Sequence, residues 1–168
     1  MPIASIAPIH GKAAMFSVAA AANLSLVAMV IVAAVSDVRS RRIPNWLVAA
    51  GLALALVAQV ATHGPADGAL VWIGGAATGA VMLLAVYLMG GMGAGDVKLM
   101  GAVGAFMGVA GAAHVAVVGF LAGGALAIAA LLLRRIAAAR RAAARKPVRL
   151  PYGLAIATAT LLVKWELF

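Results

Sequence analysis

Apolar positions fill this chain in long unbroken runs, not at the intervals of a surface helix or an alternating strand. Residues 13–36, 43–66, 68–95 and 99–133 contain no Lys, Arg, Asp or Glu. A helix that crosses a bilayer needs about 20 mostly apolar residues. The pattern predicts about six membrane helices, over 14–35, 46–62, 69–89, 94–112, 114–133 and 150–166. The run 99–133 is too long for one span. It makes two only if the fourth helix begins near residue 94, which puts Asp96 and Lys98 in its first turns. The expected fold class is all-α, a polytopic membrane protein, and 1–168 reads as a single integral-membrane domain.

Composition agrees. Of the 168 residues, 66% are hydrophobic and 10% are charged, where a soluble domain carries about a quarter charged residues. Lipid must therefore be the main solvent. The net charge of +9 could suggest nucleic acid, but the positions of the charges argue otherwise. Seven of the 13 basic residues fall between 134 and 149, without interleaved aromatics on which bases would stack. They read as a cytoplasmic loop beside the membrane. With the N-terminus outside, Arg39, Arg41, Arg42, Lys98 and that cluster all lie inside, and only Lys12 and Lys164 stay outside. The first apolar stretch is longer than a signal-peptide core, and its basic residues follow it; it is read as a retained span.

The chain has no cysteine, and His10, His63 and His114 are far apart. Disulfides and thiolate chemistry are excluded, and no metal site or cofactor is expected. Gly75/Gly79, Gly104/Gly108 and Gly119/Gly123 are small-xxx-small pairs that let membrane helices approach closely. Asn23-Leu-Ser25 matches a glycosylation sequon but lies inside a predicted span.

Chemistry must come from the four acidic residues. Asp67 lies in a short outside loop, and Glu166 lies near Lys164. Asp37 and Asp96 differ: both fall at the inner ends of predicted spans, at one depth and on one face. Ionisable groups at such depth are costly and are functional candidates. Two close carboxylates share a proton more readily than both ionise. One can then take a proton from water while the other donates to a peptide carbonyl. The plainer alternatives are that Asp37 pairs with Arg39, Arg41 or Arg42, and that Asp96 pairs with Lys98 or caps the fourth helix.

The flanking residues sharpen this reading. Asp96 ends the glycine-rich stretch Gly90-Gly91-Met92-Gly93-Ala94-Gly95-Asp96. This G-x-G-D at the start of a membrane helix resembles the signature of the GxGD intramembrane aspartyl proteases. Asp37-Val-Arg39-Ser-Arg-Arg-Ile-Pro44-Asn45 is similar to the D-x-R-x-x-x-I-P-N segment of the type IV prepilin peptidase family. Gly93-Ala-Gly95-Asp96-Val-Lys98-Leu resembles that family's second aspartate motif. Pro151-Tyr152-Gly153 resembles the P-Y-G that precedes its last helix.

The resemblance implies that Asp37 and Asp96 are the catalytic pair and that Gly93 and Gly95 are the motif glycines. It implies cleavage of a basic leader from type IV pilus subunits at the cytoplasmic face of a bacterial inner membrane, after a glycine that precedes a hydrophobic segment. The prepilin and the lipid bilayer are then the partners, with no nucleic acid. Larger members carry a cytoplasmic insertion with CxxC pairs between the first two helices and also N-methylate the product. Here only Val38–Asn45 separates those helices. The chain therefore resembles the short, peptidase-only branch serving tight-adherence (Flp) pili, and methyltransferase activity does not carry over. Pro44 and Pro151 have an ordinary role in positioning helix starts. Lys98 could neutralise Asp96, contact substrate or anchor to headgroups. The competing functions are a proton-coupled transporter and a non-enzymatic assembly subunit of a pilus or secretion machine.

Overall fold

The computed structural model describes residues 9–138 and 152–166, all built from helices and short turns. The helices are α1 (Ile9–Ser40), α2 (Asn45–His63), α3 (Pro65–Leu88), α4 (Ala94–Ala138) and α5 (Tyr152–Glu166). Four stretches are long and apolar enough to cross a membrane: Ser17–Ser40, Asn45–His63, Pro65–Leu88 and Ala94–Leu133. Large apolar side chains such as Leu24, Val57, Leu70, Val81 and Leu121 point outward, as lipid-facing residues must.

The fourth of these stretches contains a break. Gly108 has φ 70° and ψ −176°, a backbone conformation that strongly favours glycine. Four residues on either side of it, a methyl group on Gly104 would lie 3.1 Å from the Ala112 side chain. In a straight helix these positions would be about 12 Å apart. The two arms of α4 therefore lie side by side, and the chain turns at Gly108, where the sequence pattern suggests a boundary near 113. Reversal leaves the last carbonyls of the first arm without helical partners. The side-chain amide of Gln59, buried on α2, donates to two of them, Ala105 O at 3.1 Å and Phe106 O at 2.9 Å.

Two further boundaries differ from the pattern. α4 runs on to Ala138, so Arg134 and Arg135 extend a helix instead of opening a loop; the rest of the basic cluster lies outside the described residues. The sixth expected span is the 15-residue helix α5, about 22 Å long and short of the roughly 30 Å hydrocarbon core.

Glycine governs the packing of α3 on α4. A Cβ on Gly75 would fall 2.0 Å from Gly104 O, and one on Gly79 would fall 2.3 Å from Met100 O. The helices meet backbone to backbone there. Gly119 faces Ala159 and Gly123 faces the Tyr152 ring, both on α5. The core formed around these contacts includes Leu26 and Val30 of α1, Leu99, Met100 and Val103 of the first arm, and Val115 of the second. At one end of this core the α1–α2 turn, the α3–α4 turn and the start of α5 converge.

Candidate active site

Local chemistry builds each wall of this end. α1 stops because Arg41 adopts a left-handed conformation, φ 52°, and donates its N–H to Asp37 O at 2.8 Å. This is a helix-ending turn normally made with glycine. The Ser36 hydroxyl donates to Arg42 O at 2.8 Å, and the Ser40 hydroxyl donates to Ser36 O at 2.8 Å. Thus tethered, the chain passes into Pro44, whose extended backbone caps α2. On the opposite wall α3 ends in a Schellman turn: Gly90, at φ 75°, donates to Tyr87 O, and Gly91 donates to Val86 O. Gly93 then caps α4.

Asp37 and Asp96 are both buried, each 8% exposed. Each accepts a hydrogen bond from a glycine N–H. Asp96 sits three residues into α4, and its Oδ2 accepts from Gly93 N at 3.0 Å while its own N–H donates to Gly93 O at 3.1 Å. This is half of a capping box, the glycine having no side chain to return the bond. Asp37 Oδ2 accepts from Gly153 N at 2.9 Å. That N–H belongs to the first turn of α5, where helical donors have no partner of their own. Asp37 thus caps a helix 116 residues further along the chain. A Cβ on Gly153 would lie 2.9 Å from Oδ2 and 3.1 Å from Cγ of Asp37, so glycine is what lets the carboxylate reach the helix.

The two aspartates line one cavity of ≈ 320 Å³. Its other walls are Arg41, Arg42, Ile43 and Asn45 from the α1–α2 turn and Gly93, Ala94, Gly95 and Lys98 from the start of α4. A Cβ on Gly95 would lie 3.4 Å from Ile43, which is where the two aspartate-bearing segments meet. Lys98 Nζ donates to Asn45 Oδ1 at 3.2 Å, so its hydrogen-bond partner is the motif asparagine.

Of the remaining residues singled out in the sequence, Arg39 is exposed and is not part of the cavity wall, and Pro44 caps α2 just behind it. Tyr152 is not part of the cavity wall and packs against Gly123. Pro151 lies outside the described residues. Arg41 and Arg42, which the sequence offers as inner-side charges and as ion-pair partners of Asp37, line the same cavity as the carboxylates. Their signal is the positive φ at Arg41, which sequence does not display. Among the described residues no three His, Asp or Glu side chains come together as a metal would require.

Residues 24–128 match the model of the type IV leader peptidase family. That span contains both aspartates and stops short of Gly153. No curated protein and no solved structure matches the chain.

Proposed function

Because this chain belongs to the type IV leader peptidase family, we propose that it is an intramembrane aspartic endopeptidase that removes the leader from Flp-like type IV prepilins, with Asp37 and Asp96 as the catalytic pair. One observation carries this reading: two buried carboxylates from different helices line a single cavity, each held through one oxygen by a glycine N–H.

Such a pair suits amide hydrolysis without a covalent intermediate. One carboxylate takes a proton from water, the water oxygen attacks the peptide carbonyl, and the other carboxyl group donates its proton to the developing oxyanion. As the C–N bond breaks, the first carboxyl group gives the proton it took from water to the leaving nitrogen, and the second recovers its own from the tetrahedral hydroxyl. The glycine N–H groups keep both carboxylates oriented through these transfers. Arg41, Arg42 and Lys98 place positive charge around the same space, where it favours the negative charge that develops on the carbonyl oxygen. The bare backbone of Gly93 and Gly95 leaves room for an extended peptide to approach.

The basic residues support a cytoplasmic location. Arg39, Arg41, Arg42 and Lys98 flank the aspartates, and basic residues favour the inner side of a bacterial membrane. In this reading both arms of α4, together with α5, complete a six-helix topology with the N-terminus outside.

The test is cleavage in membranes. The protein is co-expressed with an Flp-type prepilin, and the leader is followed by gel shift and N-terminal sequencing. Wild type cleaves; Asp37→Asn and Asp96→Asn insert normally but each lose about 100-fold or more of the rate, the scale of general acid–base catalysis. Wild-type rates in either variant would refute the catalytic pair.

A further inference from the structure

A second cavity, ≈ 430 Å³, adjoins the first and shares Asn45 and Lys98 with it. Apart from those two residues its walls are apolar. α2 contributes Val48, Ala49 and Leu52, which with Asn45 form one face of the helix at the spacing of a single stripe. α3 contributes Ala76 and Ala80, whose small side chains leave the space open. α4 contributes Val97 and Gly101, immediately beyond Asp96. The Lys98–Asn45 hydrogen bond forms the partition between the polar and apolar spaces.

The depth of this space decides what it fits. Val97 and Gly101 lie roughly 1.5 and 7.5 Å further along the α4 axis than Asp96. An extended peptide advances about 3.3–3.6 Å per residue. A peptide bond held between the aspartates therefore brings a side chain one to three residues away level with the apolar space. A shaped apolar pocket discriminates among apolar side chains of different size by about ten-fold or more.

We infer that this cavity is a specificity subsite that takes a bulky apolar side chain of the peptide within three residues of the scissile bond. The inference rests on the peptidase reading and names which residues select the sequence to be cut. Ala49 is exposed at the mouth of the cavity, so Ala49→Phe fills the space from outside without disturbing a packed contact.

Two measurements test this on the full-length protein in membranes. The first compares kcat/KM for prepilins carrying leucine or alanine at each of the three positions on either side of the bond. At one position wild type favours leucine by about ten-fold or more, and Ala49→Phe abolishes or reverses that preference. The second uses Asp96→Asn with the same prepilin carrying a photoreactive leucine at each position in turn, and maps the cross-links by mass spectrometry. Labelling of Val48, Leu52 or Val97 from one position supports the subsite. Cross-links elsewhere, an unchanged leucine preference in Ala49→Phe, or labelling of these residues by a photoreactive phospholipid in place of the peptide would overturn it. Absence of cleavage by wild type would instead count against the peptidase reading, while cross-linking still decides the subsite.

Discussion

Gly153 and Gly93 offer the two aspartates the same group, a backbone N–H, but a side chain would be received differently at each. A methyl group on Gly153 would press on Asp37, with Oδ2 at 2.9 Å and Cβ at 3.0 Å. A methyl group on Gly93 would meet Asp96 Oδ2 at 3.5 Å and Gly95 N at 3.9 Å, both ordinary contacts. Gly153→Ala must therefore push the carboxylate or the helix start aside, and a displacement near 1 Å costs about 100-fold in rate. The expected result is a fall in kcat with KM nearly unchanged. Gly93→Ala leaves the fold and the Asp96 bond intact. If a peptide lies along this backbone, the methyl group obstructs it, so KM rises while thermal stability in detergent does not change. Steady-state kinetics and melting curves for the two variants separate carboxylate positioning from substrate approach. The two carboxylates that share the cavity stand out in sequence because acidic groups are scarce in a lipid-facing chain. Arg41 and Arg42 do not stand out, since a basic run at a membrane edge already has a sufficient explanation in topology. What brings them to the cavity is one left-handed residue and the Ser36 hydroxyl on the Arg42 carbonyl.

At the scale of helices, uncharged length and small-residue spacing locate most elements, and tertiary contact decides the rest. The glycine pair Gly75/Gly79 is visible in the sequence, and its close approach to α4 follows from it. Gly108 belongs to a pair of the same spacing, yet it is the point where the chain reverses, because Gln59, 46 and 47 residues away from its two acceptors, satisfies the carbonyls that the break exposes. A neutral amide in an apolar run carries no sign of that partner. The packing makes a direct prediction. Gly75→Ala places a methyl group 2.0 Å from Gly104 O, against backbone that cannot rotate away, and overpacking of this kind costs about 1–3 kcal/mol. Gly124→Ala meets nothing within 4 Å and serves as the control. Thermal unfolding in detergent should show a lower midpoint for Gly75→Ala and an unchanged or slightly higher one for Gly124→Ala. Because Gly75 packs on the arm that carries Asp96, cleavage should weaken with the first variant and persist with the second.

For the whole molecule the decisive quantity is which side of the membrane the aspartates face, since that sets which peptides can reach them. The turns alternate between two ends: Gly64 joins α2 to α3 at one, and residues 89–93 join α3 to α4 at the other, beside Asp37 and Asp96. In the proposed reading the second end faces the cytoplasm, since Arg39, Arg41, Arg42 and Lys98 gather there and basic residues favour the inner side of a membrane. The sequence contains no cysteine, so a single introduced thiol reports on its own position without a background. Ala66 and Met89 are both exposed, one at each end. In spheroplasts treated with a membrane-impermeant maleimide, Ala66→Cys should label at once and Met89→Cys only after the membrane is permeabilised. The reverse pattern would put the carboxylates outside and exclude a leader that is still cytoplasmic as their substrate. The expected pattern, combined with retained cleavage in both variants, would leave the bilayer itself as the first selector. Only a segment that enters from the cytoplasm and unwinds at this depth can bring its peptide bond between Asp37 and Asp96, because backbone carbonyls paired within a helix are not open to water or to an acid.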